Sequence, residues 1–142
     1  MTVKQLSVFI ENRQGRLSEV LDVLKKHNVN ILSMSLADTT EYGLLRLIVN
    51  HPEEGCRVLL EAGFAGMLTD VLIIKIPHYA GSLQETVQKI TDGNVSIEYL
   101  YGLSIEAEDA SIVIKTNDLD AACGVLRAAG ISTMTAAEID AL

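Results

Sequence analysis

The sequence repeats itself, because a shift of 66 positions brings the first half of the chain onto the second. The residues that match under this shift are mostly turn formers and apolar residues: Gly15 with Gly81, Leu17 with Leu83, Asn28 with Asn94, Val29 with Val95 and Ile31 with Ile97. One added residue later moves the offset to 67, where Cys56 matches Cys123 and Gly63 matches Gly130. The chain is therefore predicted to be two copies of one small unit, residues 1–70 and 71–142.

The first copy has the pattern of a β-α-β-β-α-β unit. Apolar residues alternate from Leu6 to Ile10 as in a strand, and from Leu17 they recur at helical spacing. Asn28 is expected to end this helix in the left-handed conformation, and Pro52 is expected at the start of a second helix. The remaining segments are predicted as strands: 29–36, 44–49 and 65–70.

The second copy repeats this order. Strands are predicted over 71–77, 95–103, 110–116 and 131–135, with helices between them. The first helix is marked by Leu83, Val87 and Ile90, and Asn117 or Asp118 is expected to cap the second. The predicted fold class is therefore α+β: two ferredoxin-like βαββαβ units packed together, with antiparallel sheets and helices on one face. The copies are expected to touch, since no Pro/Gly/Ser-rich linker separates them.

Composition excludes several classes of protein. The 142 residues include 19 acidic and 11 basic side chains, which gives a net charge of −8, and 49% are hydrophobic. Disorder requires low hydrophobicity, and nucleic-acid binding favours a basic surface, so neither is expected. The longest apolar run, 71–74, is far shorter than the roughly 20 residues of a membrane span, and no signal peptide is visible. A cytoplasmic location without membrane association is expected.

Residues that could carry out catalysis are scattered. His27, His51 and His78 have no carboxylate or cysteine at metal-ligand spacing, and no nucleophile elbow or phosphate-binding glycine loop is present. Cys56 and Cys123 occupy equivalent positions on predicted apolar helix faces, which favours a packing role for both. The sequence therefore predicts no catalytic residues, no metal and no cofactor.

The turn between the first strand and the first helix carries the most informative residues. Gly15 lets the backbone pass close to whatever lies over the helix, and the amides from Gln14 to Leu17 face outward at the positive end of the helix dipole. A small carboxylate fits such a place, and the Asn12 side chain could accept a hydrogen bond from an ammonium group. The alternative is that Asn12 is a turn or capping residue and Gly15 only a tight-turn glycine.

This turn resembles that of the ACT domain family. The matching residues are 11–17 (ENRQGRL) and 28–31 (NVNI), and the similarity is greatest to the regulatory part of phosphoglycerate dehydrogenase. The second copy, 77–83 (PHYAGSL) and 94–97 (NVSI), is a more diverged match. The resemblance covers essentially the whole chain as two ACT units. It implies binding of an amino acid or related small metabolite between the strand-helix turn of one unit and the second strand of a neighbouring unit.

The resemblance also implies which residues contact the ligand. Asn12 and Asn30 match ligand-contacting asparagines, whereas the second copy has His78 and Ser96 at the corresponding positions. Ile10 stands where the serine-responsive version of the family has histidine, which puts serine in doubt and suits a larger or more apolar side chain. The full predicted set comprises Asn12, Arg13, Gln14, Gly15, Arg16, Leu17, Asn30, Ile31, His78, Tyr79, Ala80, Gly81, Ser82, Leu83 and Ser96.

We therefore predict a tandem ACT sensor, not an enzyme, that binds a free amino acid and passes its occupancy to a partner enzyme or regulator. A homodimer is expected, and either intrachain or interchain pairing of the units is compatible with the sequence. Two alternatives are an assembly module that needs no ligand and a small acylphosphatase-like enzyme that uses Arg13 or Arg16. Paired Tyr99 and Tyr101 could also stack on RNA, but the acidic charge disfavours this.

Overall fold

A computed structural model describes residues 2–38 and 41–142. By their residue contacts these form two compact units. The first unit comprises Lys4–Thr69 with Asp140–Leu142, and the second comprises Asp70–Ile139 with residues 2 and 3. Each described helix is too short or too polar to cross a bilayer.

The first unit contains β1 (Val3–Glu11), α1 (Arg16–Lys26), β2 (Ile31–Asp38), β3 (Tyr42–Val49), α2 (Pro52–Glu61) and the first residues of β4 (Ala65–Pro77). β3 lies between β1 and β2 and pairs antiparallel with both. In this register Ile10 lies opposite Gly43, and Leu36 lies opposite Leu45. β2 is at the edge of the strand order, which places Leu36 beside the solvent.

The second unit contains the rest of β4, then α3 (Ser82–Asp92), β5 (Ile97–Ile105), β6 (Asp109–Thr116), α4 (Leu119–Ala128), β7 (Ser132–Thr133) and α5 (Ala136–Asp140). Its strands follow the order β7-β4-β6-β5, all antiparallel. The predicted fold class of two ferredoxin-like units, with helices on one face of antiparallel sheet, is confirmed.

Each unit has its own core of branched aliphatic side chains. In the first unit, β1 and β3 contribute the pairs Leu6–Leu47 and Val8–Leu45, and α1 covers them with Val20 and Leu24. The corresponding core residues of the second unit are Leu72, Ile74, Ile76, Ile90, Ile112, Ile114, Ala122 and Leu126. Each fully buried Leu or Ile contributes about 1.5–3 kcal/mol, so these cores hold the strand-helix turns in place.

Several predicted helix ends are confirmed. Asn28 has φ +56° and Asn94 has φ +61°, the left-handed conformation that asparagine tolerates. Pro52 is the first residue of α2. Asp118, of the two cap candidates, caps α4: its side chain accepts a hydrogen bond from the Ala121 amide at 3.0 Å.

Other details differ from the prediction. The segments 65–70 and 71–77 form one strand, β4, because no glycine or proline lies at their junction, and α5 was not predicted. Leu83 is exposed, although its helical spacing with Val87 and Ile90 predicts that it lies on an apolar helix face. In α3 the inward face is formed by Thr86 and Ile90, and the Thr86 hydroxyl donates to the Ser82 carbonyl at 3.0 Å. Leu83 is one residue further along the helix than the buried Ser82, which turns it toward water.

Candidate functional site

The turn between β1 and α1 is held by backbone hydrogen bonds. The Asn12 amide donates to the Glu41 carbonyl at 3.0 Å, and the Arg13 amide donates to the Glu11 carbonyl at 2.8 Å. Gly15 then adopts φ +88° and leads directly into the helix. A side chain is strained at this φ, so glycine is what allows the sharp entry.

The N-terminus of α1 carries unpaired backbone donors. No side chain among the described residues caps this helix. The Arg16 amide donates to the Arg13 carbonyl and the Glu19 amide to the Gly15 carbonyl. Across residues 2–38 and 41–142, no acceptor is found for the amides of Gln14, Gly15, Leu17 and Ser18. These amides and the helix dipole together favour an anion at this place.

A cavity of about 230 Å³ opens beside the turn. One part of its lining is polar and consists of consecutive residues: Glu11, Asn12 and Arg13. The rest is apolar and comes from four places in the unit: Ile10, Leu17, Leu36 and Gly43. The cavity therefore offers a charged side and an apolar side to a small molecule.

The two arginines of the turn have different surroundings. Arg13 lines the cavity, and its Nε lies 3.3 Å from Oε2 of Glu11. Arg16 turns elsewhere: its guanidinium carbon lies 4.4 Å from the ring centroid of Phe64, and its Nη1 donates to Glu19 at 2.5 Å. The structure therefore brings Asn12, Arg13 and Leu17 to one cavity and directs the Arg16 side chain onto Phe64.

Asn30 and Ile31 belong to a different place in the first unit. They line a separate cleft with Leu21, Lys25, Asn28 and Asn50 at the C-terminal end of α1. Within this unit they are therefore not brought together with Asn12. The amide of Asn30 donates to Oδ1 of Asn50 at 2.9 Å, and the Asn50 amide donates to the Asn30 carbonyl at 3.2 Å.

Asn50 was missed by the sequence analysis, although a signal was present. Asn50 and Asn117 match at the offset of 67, each just before a helix. Asn117 makes the same pair of bonds in the second unit: its Oδ1 accepts from the Ser96 amide at 2.9 Å, and its amide donates to the Ser96 carbonyl at 3.1 Å. The repeated asparagine thus forms hydrogen bonds with the residue just before the second strand of each unit, β2 or β5.

In the corresponding turn of the second unit, the side chains form hydrogen bonds within the unit itself. His78 donates its amide to the Glu108 carbonyl at 2.8 Å, and its Nδ1 lies 3.0 Å from the Glu106 carbonyl. The Tyr79 hydroxyl donates to Oε2 of Glu85 at 2.5 Å. This hydrogen bond, with some desolvation, raises the pKa of Tyr79 above its usual value.

The other predicted residues of this turn are placed in different ways. Gly81 has φ +93° and precedes α3, for which the described part of the chain offers no side-chain cap. Ala80 and Gly81 are exposed, Ser82 is buried and Leu83 faces solvent. The Tyr79–Glu85 bond spans the turn that leads into α3, whereas the corresponding residues of the first unit, Arg13 and Glu19, pair with Glu11 and Arg16.

Side chains suited to metal binding are not assembled in the described ranges. No group of three or more His, Cys, Asp or Glu residues is placed to hold a metal there. Cys56 and Cys123 are both partly buried and are not disulfide-bonded to each other. Desolvation raises the pKa of Cys56, which keeps it as the weakly nucleophilic thiol.

Comparison with known proteins identifies the repeat. A family model described as an ACT domain pair matches residues 1–140. No curated protein matches the sequence. Among solved structures, protein BT0572 from Bacteroides thetaiotaomicron is 34% identical, with a TM-score of 0.94, and the match covers 100% of this chain and 98% of that one.

More distant structures share the fold. The regulatory subunit of aspartate kinase from Thermus thermophilus, in its ligand-free form, is 17% identical with a TM-score of 0.65. That match covers 89% of this chain and 90% of the subunit. The regulatory subunit from Thermus flavus is 15% identical with a TM-score of 0.64, over the same shares of the two chains.

Proposed function

Because the chain belongs to the ACT domain pair family, we propose that it is a regulatory protein whose first unit binds a free amino acid. The site is the cavity between the β1–α1 turn and the strands β2 and β3. The observation that carries this proposal is the combination of unpaired α1 amides with the Glu11–Arg13 pair on one small cavity.

The two charged ends of an amino acid match the polar side of this cavity. The carboxylate accepts hydrogen bonds from the α1 amides near Leu17, with Arg13 as a second cationic group. The ammonium group is held by the Glu11 carboxylate and the Asn12 side-chain oxygen. Binding exchanges the Glu11–Arg13 ion pair for two ion pairs with the zwitterion, so little charge is left without a partner.

The second unit is proposed as a weaker site or none. Its turn has His78 in place of Asn12, and Tyr79 is bonded to Glu85 beside the start of α3. Glu85 is bonded to a neutral phenol, whereas its counterpart Glu19 pairs with Arg16, so a ligand carboxylate that approaches α3 meets an uncompensated charge that repels it. We therefore expect one strong site per chain, in the first unit.

Regulation follows from linkage between binding and assembly. β2 pairs with β3 alone among the described strands, and its Met34 and Leu36 are half exposed. We propose that β2 edges of two chains pair in a homodimer, which covers these side chains and the adjacent ligand. A ligand that binds the dimer better than the monomer shifts the population toward the dimer, and a partner protein reads that change.

Isothermal titration of the chain with each of the twenty amino acids tests the proposal. We expect at least one to bind, with a stoichiometry near one per chain. Asn12→Ala should weaken binding about tenfold or more, whereas His78→Ala, the same repeat position in the second unit, should leave the affinity unchanged. If no amino acid produces heat or a thermal shift, the proposal is wrong.

A ligand-independent assembly module is the second candidate. It is favoured by large apolar side chains that are about half exposed in the first unit, among them Phe9, Tyr42 and Met67. Its signature is an oligomeric state that does not change with any amino acid, and that Asn12→Ala and Glu11→Gln leave intact. Sedimentation with and without the amino acids separates it from the sensor.

A further inference from the structure

The apolar side of the cavity is built from side chains without polar atoms. Ile10 contributes from β1, where it is 4% exposed, and Leu17 contributes from the first turn of α1. Leu36 contributes from β2 and is 51% exposed, so it closes the cavity only on one flank. A ligand side chain that lies against these three residues meets hydrocarbon alone.

Polar and apolar lining are separated along the cavity. The polar residues Glu11–Arg13 lie on one continuous stretch of turn, and the α1 amides lie beside it. Once these groups hold the backbone part of an amino acid, the apolar lining is left for its side chain. A hydroxyl or charged group placed there loses its hydrogen bonds to water and gains none from Ile10, Leu17 or Leu36.

Gly43 determines how much room the side chain has. It lies opposite Ile10 across the β1–β3 pair and lines the cavity. A Cβ at this position would lie 3.3 Å from Cδ1 of Leu36 and 3.8 Å from the Ile10 carbonyl oxygen. Its φ is outside the left-handed region, so the backbone does not require glycine here. The absence of a side chain keeps space beside Leu36.

We propose that the amino acid bound by the first unit has an aliphatic side chain, of the size of valine, leucine, isoleucine or methionine. The side chain lies on Ile10, Leu17 and Leu36, over Gly43. This inference rests on the proposed function, and it adds the class of ligand and the residues that select it.

Valine and threonine form the sharpest pair of test ligands, because they have nearly the same shape and differ by a hydroxyl. Titration of the full chain should show valine or leucine binding about 100-fold more tightly than threonine or serine. If threonine binds as tightly as valine, or if only polar amino acids bind, the inference is overturned while the proposed function stands. If no amino acid binds, both are overturned.

Two variants locate the selectivity. Gly43→Ala should weaken the binding of leucine about tenfold or more beyond its effect on the binding of valine, because the added methyl occupies cavity space. Gly124→Ala, at an exposed position of α4 with no atom near the added methyl, is the matched control and should leave the affinity for leucine unchanged. Equal loss for valine and leucine in Gly43→Ala overturns the placement of the side chain.

Leu36→Ser provides a test that does not depend on a buried position. Leu36 is half exposed at the sheet edge, so the variant should fold with an unchanged circular-dichroism spectrum. The preference for valine over threonine should fall about tenfold or more, because the new hydroxyl offers a hydrogen bond to threonine. An unchanged preference overturns the assignment of Leu36.

Discussion

Arg13 Nε lies 3.3 Å from Oε2 of Glu11 at the rim of the first unit's cavity, and both side chains are more than half exposed. An ion pair this exposed contributes at most about 1 kcal/mol to stability. Its two charges are instead placed where a zwitterion can use them. Three residues away, Arg16 is 19% exposed and stacks on Phe64. We therefore propose separate roles for these two arginines, Arg13 in ligand binding and Arg16 in the stability of the fold.

Arg13→Ala should reduce ligand affinity and leave stability almost unchanged. The ligand carboxylate loses a cationic partner, whereas folding loses only an exposed ion pair, so the free energy of unfolding should change by about 0.5 kcal/mol or less. Titration calorimetry measures the ligand affinity, and urea denaturation measures the free energy of unfolding. A large loss of stability with unchanged affinity would reverse the roles assigned here.

Arg16→Ala should have the opposite result. The variant removes the cation–π contact with Phe64 and the packing of the arginine stem, which together should cost about 1–2 kcal/mol of unfolding free energy. Ligand affinity should be nearly unchanged, because the guanidinium faces Phe64 and Glu19. Arg16→Lys serves as a control that keeps the charge but loses the planar stacking. If Arg16→Ala abolishes binding in a folded protein, the arginines are assigned wrongly.

Asn50→Ala and Asn117→Ala should each destabilise the unit that contains them by about 1 kcal/mol. Each change removes the side-chain oxygen that accepts from the amide at position 30 or 96, at 2.9 Å in both units. The matched controls Asn50→Asp and Asn117→Asp retain that oxygen and should retain most of the stability. Urea denaturation measures all four. Loss in the aspartate variants equal to that in the alanine variants would show that the oxygen is not the important atom.

The sequence could predict the fold because both copies carry the same local signals. Asn28 and Asn94 follow the equivalent helices α1 and α3, and Pro52 and Asp118 mark the starts of the equivalent helices α2 and α4, so each boundary has a signal in both copies. The repeat also hides a boundary. Residues 65–77 are predicted as two strands at the junction of the copies, yet they form one strand, because no glycine or proline lies at that junction.

The candidate site could be predicted only in part. The β1–α1 turn follows from local sequence, since Gly15 and the helix start lie within a few residues. The apolar walls come from β2 and β3, and Leu36 reaches Gly43 only through the strand register. The position of Arg16 depends on Phe64, which is distant in the chain. Neither contact can be predicted from the spacing of residues along the sequence. The different surroundings of Arg13 and Arg16 could therefore not be predicted.

Glu85→Ala should lower the pKa of Tyr79 toward that of an ordinary phenol. The hydrogen bond to the Glu85 carboxylate favours the protonated phenol and so raises its pKa. Because the folded-state pKa is raised, this contact stabilises the fold below the ordinary tyrosine value of about 10 and is lost as pH rises through the folded-state pKa. Difference absorbance of tyrosinate against a Tyr79→Phe background follows the titration.

Glu19→Ala, the equivalent position of the first copy, is the matched control and should leave the Tyr79 titration unchanged. If the turn of the second unit is obstructed by this bond, Glu85→Ala should also make that unit more accessible to a ligand carboxylate, because one repelling charge is removed beside α3. A second, weaker binding event should then appear in the titration. A Tyr79 pKa that stays raised in Glu85→Ala would show that burial, not the carboxylate, controls this turn.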